Sequence, residues 1–220
     1  FEHMLYTPAP DIIHESAGHA PFLVDIDYAE FLQRFGELGM QAIANDHDMA
    51  IYEAVRQLSI VIEDGNSSAA DIASAEADVE RLQNMKVAPS EANLLARLHW
   101  WTVEYGLVGE LTDYTIYGAG LLSSLSESQS CLDDRKVDKR ALTLHALNTA
   151  YDITAPQPQL FVTQSCRHLS QVLEEYGRHM CCYRGGASAL EEAMIAGTVV
   201  TSTYNSGLQV AGKISRVLTD

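Results

Sequence analysis

PDIIHESAGHAPFL, residues 10–23, carries two histidines, His14 and His19, set five positions apart. The zinc-protease pattern H-E-x-x-H sets its histidines four apart, so that both imidazoles lie on one face of an α-helix. Residues five apart diverge by about 140° around a regular α-helix. The imidazoles can still converge if the helix ends between them, and Gly18 stands where a C-terminal glycine cap belongs. We therefore predict a short helix over about residues 10–17, with His19 just beyond its end.

The composition is that of a globular protein with a strong acidic excess. The chain has 220 residues, of which 47% are hydrophobic, and a formal net charge of −16. This charge argues against a nucleic-acid partner or an anionic membrane, and it favours a cationic metal. No apolar run approaches the roughly 18 residues that span a bilayer, and the sequence contains no signal peptide. We expect a cytoplasmic protein.

Helical spacing of apolar residues dominates the first half of the chain, and β-type segments appear only later. Residues 45–87 read as a helical insertion, two amphipathic segments separated by the turn sequence DGNSS. Near the C-terminus, HMCCYRGG (residues 179–186) is predicted as a strand, and a hairpin is predicted across Asn205–Gly207. The expected fold class is mainly α with a smaller β-containing part. We expect residues 1–131 to form the catalytic core and residues 132–220 a C-terminal mixed α/β portion of the same or an adjoining domain.

Glu104 is the third candidate for a metal site, because WWTVEYGL places it near the end of an apolar helix. A carboxylate there needs a partner, which is either a metal or an arginine. Two imidazoles and one carboxylate form the facial triad of non-haem Fe(II) oxygenases, which leaves three positions open on the metal. Ligand chemistry alone leaves zinc as the competing metal.

Three sequence blocks resemble one enzyme family. YTPAPDIIHESAGHAPFL, LHWWTVEYGL and IYGAGLLSSLSES occur in this order and are similar to the tetrahydropterin-dependent aromatic amino acid hydroxylases. The resemblance runs from Leu5 to about Cys131. It implies the catalytic-domain fold of that family, truncated at the N-terminus, because the family's pterin loop and the arginine that binds the substrate carboxylate are expected before Phe1.

The resemblance also implies a role for individual residues. One Fe(II) is expected on His14, His19 and Glu104, with a tetrahydropterin as the second cofactor. The residues implied around them are, for the pterin, Glu15 and Ala96; for the amino acid, Thr7, Pro10, Trp100, Gly120 and Ser123; and in supporting positions, Glu127 and His99. His99 stands where the family usually has a tyrosine, near the metal but not bound to it.

The implied reaction is ring hydroxylation of an aromatic amino acid by O₂, with phenylalanine to tyrosine as the first choice. Two alternatives remain. One is a non-catalytic metal-binding homologue or subunit. The other is a zinc-dependent hydrolase with Glu15 as its general base. The expected partners are the amino acid and O₂, without nucleic acid or membrane, and the sequence leaves the oligomeric state open.

Overall fold

The structure is a computed structural model that describes Ile12, residues 14–151 and residues 155–218. Two π-helices, π1 (His14–His19) and π2 (Trp100–Glu104), carry the three predicted metal ligands. The α-helices, in chain order, are α1 (Ile26–Gly39), α2 (Asp46–Glu63), α3 (Ala69–Gln83), α4 (Glu91–His99), α5 (Ala119–Ser123), α6 (Leu125–Ser130), α7 (Cys166–Gly177), α8 (Cys181–Arg184) and α9 (Gly186–Ala196). Short 3₁₀-helices cover Ala20–Val24 and Leu144–Asn148. The strands are β1 (Gly106–Glu110), β2 (Asp113–Ile116), β3 (Asp138–Ala141), β4 (Gln159–Thr163), β5 (Val200–Thr203) and β6 (Gln209–Gly212).

The described residues fall into two compact units. The larger comprises the described parts of Tyr6–Ala42 and Leu94–Tyr183, and the smaller contains Ile43–Asn93 and the described residues of Arg184–Asp220. Strands β3 and β4 follow residue 131, yet they complete the sheet that β1 and β2 begin. The division of the chain at residue 131 stays a prediction.

The larger unit contains a four-stranded mixed sheet with the order β2-β1-β4-β3. Strands β1 and β2 are antiparallel and joined by a tight turn, whereas β1 pairs with β4, and β4 with β3, in parallel. Strand β1 begins directly after π2, so the sheet anchors the segment that carries Glu104. Strand β4 is central in the sheet, and its residues Leu160, Phe161 and Val162 are buried, as expected of a strand that is covered on both faces.

Helices α1 and α7 pack against each other and supply much of the core of the larger unit. Helix α1 starts at Asp25, whose carboxylate accepts a hydrogen bond from the Tyr28 backbone N–H, a typical N-cap. Its apolar face is buried at Tyr28, Phe31 and Leu38. An ion pair joins the two helices, with 2.6 Å between Arg34 Nε and Glu174 Oε1.

The smaller unit holds the helical pair α2–α3 and the hairpin β5–β6. Helices α2 and α3 each begin with a capping box, Asn45 with Asp48 and Ser68 with Asp71, which satisfies the first backbone N–H groups of each helix. The ends of this insertion meet, because Ala92 N donates to Ile43 O over 3.2 Å.

The structure confirms several features of the sequence prediction. The fold is mainly α with a smaller β part, residues 45–87 form two helices, and a hairpin turns at Asn205–Gly207. The predicted strand in residues 179–186 is wrong, since Cys181–Arg184 is one short helical turn. Among the described helices, none is long and apolar enough to cross a membrane.

Candidate metal centre

A π-helix brings the two histidines of the HESAGH segment together. Residues His14–His19 form one π-helical segment, in which hydrogen bonds connect residues five apart. Five positions are therefore about one turn, and His14 and His19 lie above each other rather than diverging. Their ring centroids are 4.8 Å apart in an edge-to-face arrangement. The predicted helix end before His19 is wrong, because the segment stays helical through a buried Gly18.

A second π-helix delivers the carboxylate. Trp100–Glu104 continues from α4 in π geometry, and the Tyr105 backbone N–H donates to Trp100 O over 2.9 Å, a hydrogen bond between residues five apart. The wider turn changes the direction in which Glu104 projects from the helix. Short π segments inside helices often occur at functional sites, and here both ligand-bearing segments have this form.

The three predicted ligands converge on one point. His14 Nε2 lies 3.3 Å from Glu104 Oε2, and His19 Nε2 lies 3.2 Å from Glu104 Oε1. The two imidazole Nε2 atoms are 3.1 Å apart. Metal–ligand bonds of about 2.0–2.2 Å place neighbouring ligand atoms roughly 2.8–3.6 Å apart, depending on coordination number. The three side chains thus form a triangle in which each histidine meets a different oxygen of Glu104. The contacts between the residues have the spacing of neighbouring ligands on a metal, and this spacing suits iron and zinc equally.

A serine hydroxyl sets the protonation of His14. His14 Nδ1 lies 2.9 Å from Ser123 Oγ, and Ser123 Oγ donates to Ala119 O over 2.8 Å. A hydroxyl has a single proton, so Ser123 accepts the hydrogen bond from His14, which assigns the proton to Nδ1. The lone pair of His14 is then on Nε2, the atom that points to Glu104. A metal-binding histidine typically has its other ring nitrogen held in this way.

The donor set fits a cation. With its lone pair on Nε2, His14 presents an electron-rich nitrogen to a carboxylate oxygen 3.3 Å away. Two such atoms repel each other unless a positive centre lies between them. The side chains of His14, His19 and Glu104 are 26%, 20% and 17% exposed, so water screens this repulsion only in part. These residues could hold one divalent metal ion, with the outer side of the triangle open.

Glu15 is a second carboxylate near the histidines, and it is exposed. Its oxygen lies within 4.8 Å of the imidazole nitrogens. Glu104 is closer, with both of its oxygens within 3.3 Å of a histidine nitrogen. Glu104 is therefore the better-placed candidate for a third ligand, and Glu15 lies at the rim of the cluster.

Close backbone packing holds the site together. A Cβ atom on Gly18 would lie 2.8 Å from Ala119 Cβ, and one on Gly120 would lie 2.9 Å from the Tyr105 ring and 3.0 Å from Glu104 O. Real Cβ atoms do not approach that closely. Glycine at these positions lets π1 and π2 both contact α5, the helix that also carries Ser123.

An aromatic stack lies beside the centre, formed by Tyr105, Trp100 and Tyr151. The ring centroids of Trp100 are 4.7 Å from Tyr105 and 4.4 Å from Tyr151, with interplanar angles of 24° and 11°. Both faces of the indole are thus covered. In the part of the chain that the structure describes, its buried Nε1 has no hydrogen-bond acceptor.

Glu127 fixes one end of this stack. The Tyr105 hydroxyl donates to Glu127 Oε2 over 2.8 Å, and Gln157 N donates to Glu127 Oε1 over 3.3 Å. Burial, followed by the hydrogen bond to Glu127, raises the pKa of Tyr105 well above its ordinary value, so the phenol keeps its proton and remains the donor. Glu127 thus holds Tyr105 in place, and its supporting role in an amino-acid pocket stays a prediction. Sequence reasoning missed Tyr105 and Tyr151, although Tyr105 directly follows Glu104.

The remaining predicted residues lie at different distances from the centre. His99 is half-buried, with its ring edge-on to Phe35 at 5.5 Å between centroids. Burial lowers the pKa of His99, while the charge of Glu104 acts in the opposite direction. Ala96 is exposed on α4. Thr7 and Pro10 lie outside the described residues.

Comparison with known proteins places the chain in a family. Residues 2–71 and 67–183 match the model of the biopterin-dependent aromatic amino acid hydroxylases. The phenylalanine-4-hydroxylase of Pseudomonas aeruginosa is 29% identical over 79% of this chain and 49% of its own length. That of Dictyostelium discoideum is 30% identical over 78% of this chain and 29% of its own length. The chain thus spans less than half the length of these relatives.

One similar protein also has a solved structure. The phenylalanine hydroxylase of Chromobacterium violaceum, solved with iron(III) and oxidised 7,8-dihydrobiopterin, is 25% identical, with a TM-score of 0.46 over 76% of this chain and 46% of the other. The family model covers most of the chain, including the segments that carry His14, His19 and Glu104. The chain belongs to the biopterin-dependent aromatic amino acid hydroxylases, as its three sequence blocks predicted.

Proposed function

We propose that His14, His19 and Glu104 bind one Fe(II), and that the protein hydroxylates the ring of an aromatic amino acid with O₂ and a tetrahydropterin. The observation that carries this proposal is the convergence of three side chains, in which the two imidazole Nε2 atoms and the two Glu104 oxygens make contacts of 3.1–3.3 Å, together with the lone pair that Ser123 directs to His14 Nε2. Two imidazoles and one carboxylate are the ligands of oxygen-activating non-haem iron.

The residues of the chain hold and orient the reacting groups. Iron and the tetrahydropterin, when bound, supply the activation of O₂ and the oxygen transfer. Ser123 keeps His14 in the tautomer that can bind metal. The three ligands occupy one side of the metal, and the open side remains for O₂ and the two organic reactants. Glu15, at the rim, is suited to contact the pterin directly or through water.

The aromatic stack and α5 are proposed as walls of the amino-acid pocket. Trp100 has both ring faces covered, so a substrate ring can meet only its edge. Gly120 keeps α5 close to Glu104 and leaves room beside the metal. Phenylalanine is the proposed substrate, because the relatives named above are phenylalanine-4-hydroxylases.

The first experiment measures the metal. Anaerobic titration of the metal-free protein with Fe(II) should give one iron per chain. His14→Ala, His19→Ala and Glu104→Ala should each abolish stoichiometric binding. His179→Ala is the matched control, since His179 lies at the end of α7 and outside the centre. Full iron occupancy in any of the three ligand variants would remove that residue from the site.

The second experiment measures the reaction. The protein, expressed from its own gene and loaded with Fe(II), is given a tetrahydropterin, O₂ and each of the three aromatic amino acids in turn. Pterin-dependent tyrosine formation from phenylalanine is the expected result. Stoichiometric iron without turnover of any amino acid would favour the non-catalytic homologue. Selective binding of zinc with Glu15-dependent hydrolysis would favour the hydrolase.

A further inference from the structure

We propose that the aromatic stack is a one-electron donor to the metal centre, with Glu127 as the proton acceptor, and that it protects the ligands when activated oxygen is not used on substrate. The inference rests on the proposed function, since it needs a metal that activates oxygen. Its evidence is the arrangement of Tyr105, Trp100, Tyr151 and Glu127, which metal binding does not require.

The first step of the argument is position. Tyr105 follows Glu104 in the chain, and its ring packs against Gly120 beside the Glu104 carbonyl. An oxidisable phenol therefore stands one residue from a metal ligand.

The second step is the path of the proton. A phenol is oxidised far more easily when a base accepts its proton at the same time. The Tyr105 hydroxyl already donates to Glu127 Oε2 at 2.8 Å. With iron bound and oxidised by peroxide, Tyr105 would give up one electron to it while its O–H proton moves to Glu127 Oε2. The products are a neutral tyrosyl radical, a carboxylic acid at Glu127 and a metal one oxidation step lower.

The third step is the path away from the metal. Trp100 stacks on Tyr105 at 4.7 Å and on Tyr151 at 4.4 Å, so the three π-systems are in contact. The described residues offer the Trp100 Nε1–H no acceptor, whereas Tyr105 has Glu127 as a base, so we place the radical on the tyrosines rather than on the indole. Tyr151 is half-buried, which leaves the outer end of the stack within reach of a dissolved thiol. One electron from the thiol and the proton from Glu127 restore Tyr105, while the thiol releases its own proton to water and becomes a thiyl radical.

Tyr28 shows what distinguishes the stack from other aromatic residues. The charge of Glu104 acts on Tyr28, but its ring meets Phe22, Phe31 and Tyr117 only at tilted or edge-on angles and about 6 Å. Tyr28→Phe therefore makes the same chemical change as Tyr105→Phe, near the same carboxylate, without touching the stack.

The experiment uses the 220-residue chain loaded with Fe(II), without pterin or amino acid, and hydrogen peroxide as the oxidant. Samples are frozen within milliseconds for electron paramagnetic resonance, and parallel samples receive a spin trap before peptide mapping by mass spectrometry. Iron content is measured for every variant. A zinc-loaded sample is the metal control, because zinc has no redox chemistry.

We expect a tyrosyl signal in the iron-loaded protein and none in the zinc-loaded protein, with the trap attached at Tyr105 or Tyr151. Tyr105→Phe should lose the signal and show several-fold more oxidation of His14 and His19, whereas Tyr28→Phe should match the wild type. Glu127→Gln, which keeps the phenol but removes the base, should lower the radical yield.

Three results would overturn the proposal: an unchanged signal in Tyr105→Phe, a trap adduct located outside the stack, or no protein radical in the iron-loaded wild type. If Tyr105→Phe does not fold, the trap position in the wild type and the yield in Glu127→Gln decide. Hydroxylation is measured separately with pterin and amino acid, so a failure of that reaction is distinguishable from a failure of the relay.

Discussion

Replacing Ser123 by alanine should weaken metal binding without removing a ligand. Ser123 Oγ accepts the hydrogen bond from His14 Nδ1 at 2.9 Å and donates to Ala119 O at 2.8 Å. In Ser123→Ala, His14 Nδ1–H loses its acceptor among the described residues, and the imidazole can adopt the other tautomer, which places a proton on Nε2.

The size of the effect follows from the environment of the bond. Removing the partner of a metal-bound histidine typically lowers metal affinity by about 10- to 100-fold. The His14 side chain is 26% exposed, so water can replace part of the lost hydrogen bond. We therefore expect the low end, about 10-fold, which corresponds to about 1.4 kcal/mol.

The assay is anaerobic competition for Fe(II) between the protein and a chelator of known affinity. Ser124→Ala is the matched control, because Ser124 Oγ accepts from Glu127 N at the start of α6 and does not contact His14. Loss of that cap should reduce stability by about 1 kcal/mol and leave iron affinity unchanged. Equal iron affinity in Ser123→Ala and the wild type would refute the tautomer argument.

Three further predictions concern packing, pH and the insertion. Gly18→Ala should destabilise the protein by about 1–3 kcal/mol, because its Cβ would lie 2.8 Å from Ala119 Cβ. In urea unfolding, the double variant with Ala119→Gly should regain part of the lost free energy of unfolding. If the effects of the two substitutions on that free energy simply add, the contact is contradicted. Burial lowers the pKa of His99, so the unfolded chain binds a proton at a higher pH than the folded one. The free energy of unfolding should therefore fall as pH drops from about 7 to 5, and it should fall less in His99→Phe. An equal decrease in both proteins would mean that another group is responsible. Replacing residues 46–85 by a short glycine-serine linker should leave one iron per chain, because Ile43 and Ala92 are hydrogen-bonded to each other at the base of the insertion. Loss of iron from a folded variant would show that the insertion supports the site.

The convergence of His14, His19 and Glu104 and the two helices within residues 45–87 were predictable because each has a strong local signal. The histidine pair stands out by its spacing, and Glu104 is an acidic residue at the end of an apolar helix. Residues 45–87 have helical periodicity with a polar break, and the capping residues Asn45 and Ser68 mark the starts of the two helices. Signals of this kind depend on neighbours in the sequence.

The features that sequence reasoning missed depend on distant residues or on small changes of helix register. An α-helix and a π-helix differ by one residue per hydrogen-bonded turn, and no residue in HESAGH distinguishes them. Ser123 lies 109 positions from His14, and Tyr151 comes from beyond the third sequence block. Tertiary packing selects these contacts, whereas composition and periodicity do not encode them. The strand predicted in residues 179–186 is wrong for a related reason. The helical turn found there, Cys181–Arg184, has only four residues, and periodicity cannot separate a strand from a turn over so short a window.

The two π-helices also determine what a single-codon deletion does to this protein. A π-turn, whose hydrogen bond joins residues five apart, becomes an ordinary α-turn when one residue is deleted. The helix itself continues without a break. A single-codon deletion between Trp100 and Glu104 would rotate the carboxylate by about 100° relative to α4. It would thereby dissolve the metal-binding triangle while leaving the sheet and the α1–α7 core in place. If the three side chains bind a metal as proposed, one genetic step can therefore abolish metal binding and keep the fold.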